Sequence, residues 1–148
     1  MADLVSLEEA QRLVLERARP LDAERVPIDR GAGRVLAERA LAAVDLPPFA
    51  SSAMDGFAVR SEDTASSPLT LSVVARIAAG QPATRSLERG EAMAISTGGT
   101  VPDGADAVVP IELVDEQDTA IVLNAPVARG ANVRPRGGDA AAGRPVLE

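Results

Sequence analysis

Asp55 is the first residue of the 148-residue chain that could do chemistry, because its neighbours are suited to displaying a carboxylate. Pro47 and Pro48 stiffen the approach and cannot donate backbone hydrogen bonds to a sheet. Gly56 permits a left-handed or closely approached backbone, and Phe57 begins an alternating apolar pattern typical of a strand. The stretch predicts an acid at the mouth of a sheet. The alternative is a loop aspartate that only caps its own turn.

A glycine-rich loop within residues 96–106 is the second candidate, and it follows a predicted strand. Two adjacent glycines would let backbone amides converge on an anion, with the Thr97 hydroxyl beside them. The loop lacks the lysine of a nucleotide P-loop, which excludes that kind of phosphate site. The alternative is a flexible connection between strands. Asp106 and Glu112 lie on or beside the next strand, where one or both could simply be solvated.

The third candidate is the segment 129–139, in which two arginines flank a proline and two glycines precede an acid. The guanidinium fork of Arg134 or Arg136 matches oxyanions such as molybdate, phosphate or sulfate. Asp139 could pair with an arginine or bind a cation. The alternative is a surface turn with weak local ion pairs. The presence of three such loops in one β-rich chain favours a shared site.

The side chains available for chemistry are few. The chain has no His, Lys, Tyr, Trp or Cys, and all fifteen of its basic residues are arginines. Imidazole bases, Schiff-base lysines and thiolate metal sites are therefore excluded. Asp, Glu, Ser, Thr, Arg and backbone groups remain, a set that suits hard cations such as Mg²⁺ and the binding of oxyanions.

Charge and hydropathy exclude further classes of protein. The net charge is −7 and only two residues are aromatic, which disfavours binding to nucleic acid. No apolar run approaches 18 residues, so no membrane span is predicted, and the acidic N-terminus does not resemble a secretory signal. We expect a cytoplasmic protein of one domain, or of one small domain with an appendage.

The elements that must position these loops begin with an amphipathic helix over residues 6–18. Ser6 and Glu9 form a capping-box pattern, apolar residues follow at helical spacing, and Pro20 ends the pattern. A connector over residues 20–34, extended at 25–28, leads into a mixed segment at 35–44 that ends in a strand. Residues 61–68 are predicted to be a mobile polar loop.

From Phe57 onward the pattern predicts short strands separated by turn signals. Strands are expected at Leu69–Ile77, 92–95, 107–113 and 119–123. No helical pattern interrupts them, which disfavours a parallel βαβ sheet. The predicted fold is mainly β: a small β-barrel or sandwich-like domain at 45–148, with the N-terminal helix and a short connector at 1–44.

Several motifs then occur in order along the chain. They are Pro-Pro at 47–48 with Ser-Ala-Met-Asp-Gly-Phe-Ala at 52–58, and the segments 31–37, 79–82, 90–92, 95–98, 101–109 with Glu112, and 130–139 with Gly143. In these motifs the chain resembles the N-terminal part of the molybdopterin molybdenumtransferases, the MoeA type also found as the E domain of gephyrin. It departs from the family at Ala50 and Ser51, which replace a polar or acidic pair, and at Gly138, where glutamate is common.

The resemblance implies an enzyme that inserts molybdate into adenylylated molybdopterin and releases AMP with the help of Mg²⁺. Carried over by motif, the functional positions fall on Asp55, Thr97, Arg134 and Asp139. The two aspartates would organise a cation or water, and we expect them to be the metal ligands. Thr97 would donate a hydrogen bond to an oxyanion, and Arg134 would offset its charge.

The family's pterin-binding α/β domain and its C-terminal β domain would follow Glu148, so we expect this chain to be truncated relative to the family. The resemblance also implies that helix 6–18 packs on the α/β domain, and that the protein is a homodimer with a cleft between domains. The chain alone would then carry half a site and be inactive. The alternatives are a non-catalytic binding or dimerisation module of the same family, and an unrelated small β domain that dimerises through its helix.

Overall fold

The computed structural model describes residues 5–148, which form two compact units, one up to Glu38 and one from Arg39 to Glu148. In the first unit, helix α1 spans Leu7–Arg17. The Ser6 hydroxyl accepts a hydrogen bond from the Glu9 amide at 3.2 Å, which is the predicted N-cap. The Glu9 carboxylate lies 3.6 Å from the Arg12 guanidinium instead of reaching back to the cap.

A 3₁₀ helix follows at Ile28–Arg30, and it begins at the last residue of the segment 25–28 predicted to be extended. Among the described residues, the helices are too short and too polar to cross a bilayer. The domain boundary between residues 44 and 45 stays a prediction.

The second unit holds the strands and two further 3₁₀ helices, at Ser61–Ser66 and Ile111–Leu113. Within Arg39–Glu148 the strands are β1 Ala40–Leu41, β2 Ser51–Ser52, β3 Gly56–Val59, β4 Leu69–Ile77, β5 Glu91–Ile95, β6 Ala107–Pro110, β7 Val114–Gln117, β8 Ala120–Leu123, β9 Val133–Arg134 and β10 Pro145–Leu147. The mainly β class with one N-terminal α-helix is therefore confirmed.

The main sheet is a six-stranded half-barrel in the order β6-β3-β5-β4-β8-β7. Its neighbours are antiparallel except for β4 and β5, which run parallel and are joined by an irregular connection over residues 78–90. Two small antiparallel pairs, β1 with β10 and β2 with β9, lie outside this sheet. No helix bridges the parallel pair in the described unit, in agreement with the expectation against a βαβ arrangement.

Strand β3 is buried along its whole length because both faces of the sheet carry apolar side chains there. Phe57 and Val59 belong to one cluster, and Ala58 between them belongs to another with Met93 and Val108. Alternation along the strand sends neighbouring side chains to opposite faces. The first cluster also contains Leu71, Ile121 and Leu123. The strand that follows Asp55 is thus anchored on both sides.

Two local predictions need correction, and one strand was not predicted. Residues 61–66 form a 3₁₀ helix, not a mobile loop, because the fully buried Thr64 hydroxyl donates to the Ser61 carbonyl and accepts from the Val127 amide, both at 2.8 Å. The strand predicted at 107–113 ends at Pro110, where a 3₁₀ helix begins. Strand β7 was not predicted, because three of its four residues are polar and no alternation of apolar and polar residues is visible. The predicted strand at the end of 35–44 is the two-residue β1.

Candidate functional site

Asp55 and Thr97 meet although 42 residues separate them. The exposed Asp55 carboxylate accepts a hydrogen bond from the Thr97 amide at 2.7 Å through Oδ1. The Asp55 carbonyl accepts from the Ile111 amide at 3.1 Å. Asp55 therefore links the β2–β3 turn to the glycine loop, and its role in a functional site stays a prediction.

The turn before Asp55 is fixed by Ser52. Its hydroxyl accepts from the Met54 amide at 3.2 Å and donates to the Met54 carbonyl at 2.5 Å. The Ala53 amide donates to the carbonyl of Asn132 at 2.9 Å. These contacts hold the chain on both sides of the turn, so the Asp55 backbone has a defined position without burial of its carboxylate.

The glycine loop does not form the expected cradle of free amides. The Thr97 amide binds Asp55, the Gly98 amide donates to the Ser52 carbonyl at 2.9 Å, and the Gly99 amide donates to the Ser96 carbonyl at 2.8 Å. These donors are already used inside the protein, so the prediction of an amide-lined anion site is wrong. The Thr97 side chain is exposed and is the group of this loop that could contact a ligand.

Arg134 and Asp139 form an ion pair across the third loop. Both side chains are about half exposed, 51% and 56%, so the pair is open to solvent and to ligands. The Gly138 amide donates to the Pro135 carbonyl at 3.0 Å, which closes the turn between the two charged residues. Asp139 is thus paired with arginine in this structure, and its role as a cation ligand stays a prediction.

Strand β2 joins the two halves of the site. On one edge Ser51 pairs with Arg134 in β9, and on the other edge Ser51 bridges to Thr100. The Ser52 amide also donates to the Gly99 carbonyl at 2.9 Å. Because neighbouring strands are about 5 Å apart, the glycine loop and the arginine loop run about 10 Å apart on either side of β2. The backbones at Thr100 and Arg134 are therefore neighbours across β2.

Sequence reasoning missed two residues that shape this region. Asn132 has a positive φ of 53°, a conformation that asparagine tolerates, and its Nδ2 donates to the Val108 carbonyl at 2.9 Å. The Asp45 carboxylate accepts from the Ala142 amide at 2.9 Å and from Arg136 Nε at 2.7 Å. The only available signal was residue type, because the partners of Asp45 lie more than 90 positions away in the chain.

The Ala142 amide, and after it the Arg136 guanidinium, lower the pKa of Asp45 below its ordinary value. The charged carboxylate is the form that makes both contacts. Since the folded-state pKa is lowered, the stabilisation is present above the ordinary pKa of aspartate and is lost as the pH falls through the folded value. At neutral pH the contacts are therefore fully formed.

The two other candidate acids, Asp106 and Glu112, differ in their contacts. Asp106 is not merely solvated: its carboxylate accepts from the Ser61 amide at 2.7 Å and from the Ser61 hydroxyl at 2.9 Å. Glu112 is exposed on the 3₁₀ helix after β6. Asp106 thus holds the start of the segment 61–66 and is a structural residue.

Carboxylates are suitable ligands for Mg²⁺, which often keeps several waters and uses one or two protein carboxylates together with substrate phosphates. Within residues 5–148, no three acidic side chains converge as a group that could hold a metal. Asp55 is exposed and fits as a single ligand, whereas Asp139 could act as one only if its pair with Arg134 opened. The residues therefore fit a largely hydrated ion, not a closed protein cage.

Comparison with known proteins identifies the family. A family model described as MoeA N-terminal region (domain I and II) matches residues 5–148. Molybdopterin molybdenumtransferase of Synechococcus elongatus is 41% identical over 133 residues, which cover 86% of this chain and 33% of that protein. Molybdopterin molybdenumtransferase 2 of Mycobacterium tuberculosis is 38% identical over 146 residues, which cover 96% of this chain and 36% of that protein.

A solved structure is similar over nearly the whole chain. The crystal structure of the molybdopterin biosynthesis moeA protein from Pyrococcus horikoshii matches with a TM-score of 0.87 at 37% identity, covering 99% of this chain and 40% of that one. The chain spans about a third of the length of the curated relatives it matches. The hypothesis of an unrelated small β domain is therefore wrong. The chain belongs to the MoeA family and corresponds to the N-terminal region of its members.

Proposed function

We propose that this chain supplies the β-domain side of the active site of a molybdopterin molybdenumtransferase, which inserts molybdate into adenylylated molybdopterin and releases AMP. The observation that carries the proposal is the approach of two loops to opposite edges of β2, one with Asp55 and Thr97, the other with Arg134 and Asp139. The names of the relatives give the reaction its chemical class.

Arg134 is the proposed binding group for an oxyanion. Its guanidinium is half exposed and already pairs with one carboxylate, and the same fork fits the oxygens of molybdate or of a phosphate. An incoming oxyanion would compete with Asp139 for Arg134. The acid released in this way would then be available beside the bound oxyanion.

Asp55 and Thr97 are proposed to act on the other side of β2. The Thr97 hydroxyl would donate a hydrogen bond to the oxyanion, while its amide keeps the Asp55 carboxylate in place. Asp55 and Asp139 would hold Mg²⁺. When bound, that ion neutralises phosphate charge during cleavage of the phosphoanhydride. Asp55 would also orient a water molecule through the carboxylate oxygen that Thr97 does not use.

Thr97→Val tests this function in the complete enzyme that carries this region. Valine keeps the backbone amide that binds Asp55 but removes the hydroxyl. A hydrogen bond to a charged ligand contributes about 1.5–3 kcal/mol, so we expect roughly a 10- to 100-fold loss in molybdate-dependent AMP release. Thr70→Val, at an exposed position of β4, is the matched control and should leave the rate unchanged. Equal rates for both variants and the unmodified enzyme would refute the role of Thr97.

The second candidate is a binding or dimerisation module that does no chemistry by itself. Exposed apolar side chains on α1 favour it: Leu7, Val14 and Leu15 are each about two-thirds exposed or more, at 70%, 67% and 71%. Such a stripe on an amphipathic helix usually packs on another surface. We propose that this surface is a further domain or a second copy in the homodimer.

An assay of the chain alone tests whether the region is a complete enzyme, which neither candidate allows. We expect no repeated turnover when residues 1–148 are mixed with adenylylated molybdopterin, molybdate and Mg²⁺, because the pterin-binding side of the cleft is not among the described elements. AMP release is the measurement, and light scattering of the same sample gives the association state. Several AMP molecules released per chain would show that the region is a complete enzyme and would overturn this prediction.

A further inference from the structure

The loop that carries Asp139 is fastened to the segment just before the two prolines. The Gly137 amide donates to the Pro47 carbonyl at 2.9 Å, and the Asp139 amide donates to the Leu46 carbonyl at 2.9 Å. In return the Leu46 amide donates to the Ala140 carbonyl at 2.8 Å. These bonds fix the backbone of the loop at its centre.

The Asp45 carboxylate closes the loop at both ends. Oδ2 accepts from Arg136 Nε, three residues before Asp139, and Oδ1 accepts from the Ala142 amide, three residues after it. The Asp45 side chain is 21% exposed whereas that of Arg136 is 70% exposed, so the acid is the more firmly enclosed partner. One carboxylate thus spans the whole turn on which Asp139 stands.

Gly137 makes this arrangement possible. Its φ is +66°, and a Cβ at this position would lie 3.2 Å from Asp45 Oδ1. A glycine fits both the left-handed backbone and the close approach of the carboxylate. Gly137 therefore serves the clamp around Asp139 and need not be explained by binding of a ligand to the loop backbone.

We infer that Asp45 is a positioning residue: it holds the turn that carries Asp139, so that this carboxylate stays beside the site when an oxyanion displaces it from Arg134. The inference rests on the proposed function for the choice of ligand. The contacts themselves are independent of it. Asp45 touches neither substrate nor reacting atoms in this scheme, so its effect on the reaction passes entirely through the loop.

Glu91 offers a matched control in the same unit. Its carboxylate accepts from the Glu88 amide at 3.0 Å and from Arg85 at 2.7 Å, and the same two kinds of contact lower its pKa, the backbone amide first. Glu91 begins β5, whereas Thr97 lies beyond the other end of that strand. Loss of a comparable clamp at Glu91 therefore leaves the candidate site in place.

The test compares Asp45→Ala, Asp45→Asn and Glu91→Ala with two readouts. Hydrogen exchange in this chain reports on the Ala142 and Asp139 amides, and AMP release by the complete enzyme reports the molybdate concentration for half-maximal rate. We expect Asp45→Ala to speed exchange at Ala142 at least 10-fold and to raise that molybdate concentration at least 10-fold, with a smaller change in the maximal rate. Asp45→Asn keeps an acceptor for Ala142 and should recover most of both losses.

Glu91→Ala, which removes both contacts of the Glu91 carboxylate, should change neither readout. Unaltered exchange at Ala142 in Asp45→Ala would overturn the clamp, and faster exchange with unaltered molybdate dependence would overturn the positioning role. If Asp45→Ala does not fold, Arg136→Ala removes the side-chain half of the clamp and should give a smaller change of the same kind. Failure of the proposed function is distinguished by Arg134→Ala: normal molybdate dependence in that variant refutes the function, while the exchange result still tests the clamp.

Discussion

Asp55→Asn should lower molybdate-dependent AMP release by the complete enzyme about 100-fold or more, within the range typical of groups that organise protons or metal-bound water. Asparagine has nearly the same shape and keeps an oxygen that can accept from the Thr97 amide. The substitution therefore removes charge and leaves the turn in place. Measurement of kcat/KM for AMP release, together with a thermal unfolding curve, separates a lost function from a lost fold.

Asp103→Asn is the matched control for this experiment. Asp103 is an exposed aspartate in the loop before β6, and among residues 5–148 it contributes its backbone carbonyl, which accepts from the Leu87 amide at 2.7 Å, and no side-chain contact. Its conversion to asparagine removes the same charge from the same unit, and AMP release should stay normal. A rate for Asp55→Asn within threefold of the Asp103→Asn rate would show that the Asp55 carboxylate has no role in the reaction.

Gly56→Ala should destabilise the second unit by about 3 kcal/mol or more, since a rigid overlap with backbone exceeds the usual cost of overpacking. A Cβ on Gly56 would lie 1.9 Å from the Val109 carbonyl oxygen and 2.9 Å from its carbon. Strand β3 lies between β5 and β6, so it cannot move away from Val109 without disturbing the pairing on its other side. Urea unfolding followed by circular dichroism gives the free energy.

Gly80→Ala provides the comparison for Gly56→Ala. Gly80 has a φ of +77°, and a Cβ there would meet nothing within 4 Å. Alanine should therefore lower the free energy of unfolding only by the cost of its left-handed backbone conformation, about 1–2 kcal/mol. Gly56 has no positive φ, so its loss reports the steric clash and should exceed the backbone cost measured at Gly80. Equal losses of stability would mean that β3 and β6 are not packed as closely as described here.

The sequence was sufficient for elements whose signals are local. Ser6 caps α1 as predicted because the cap and its partner are three residues apart. Strand β4 has the predicted bounds Leu69–Ile77 because nine residues are enough for alternation to appear. The display of Asp55 at the start of β3 also followed from its own neighbours, the glycine and the aromatic residue that come next.

The features that could not be predicted depend on contacts between distant parts of the chain. Strands β2 and β9 have two residues each, too few for any periodicity, yet they join the two halves of the site. The glycine-loop amides were expected to be free because nothing near them in sequence indicates that Asp55 and Ser52 accept from them. Likewise, the segment 61–66 was predicted to be a loop because its anchor is distant: the Thr64 hydroxyl accepts from the Val127 amide, 63 positions away.

The central claim is that Asp55 and Arg134 act in one site, and a double-mutant cycle tests it most directly. The complete enzyme is assayed for molybdate-dependent AMP release as Asp55→Asn, as Arg134→Ala and as the double variant, with unfolding curves for each. Groups that serve the same reacting centre are strongly non-additive. We predict that the double variant loses far less than the product of the two single losses. A loss equal to that product would contradict the claim, because it would mean that the two loops contribute independently.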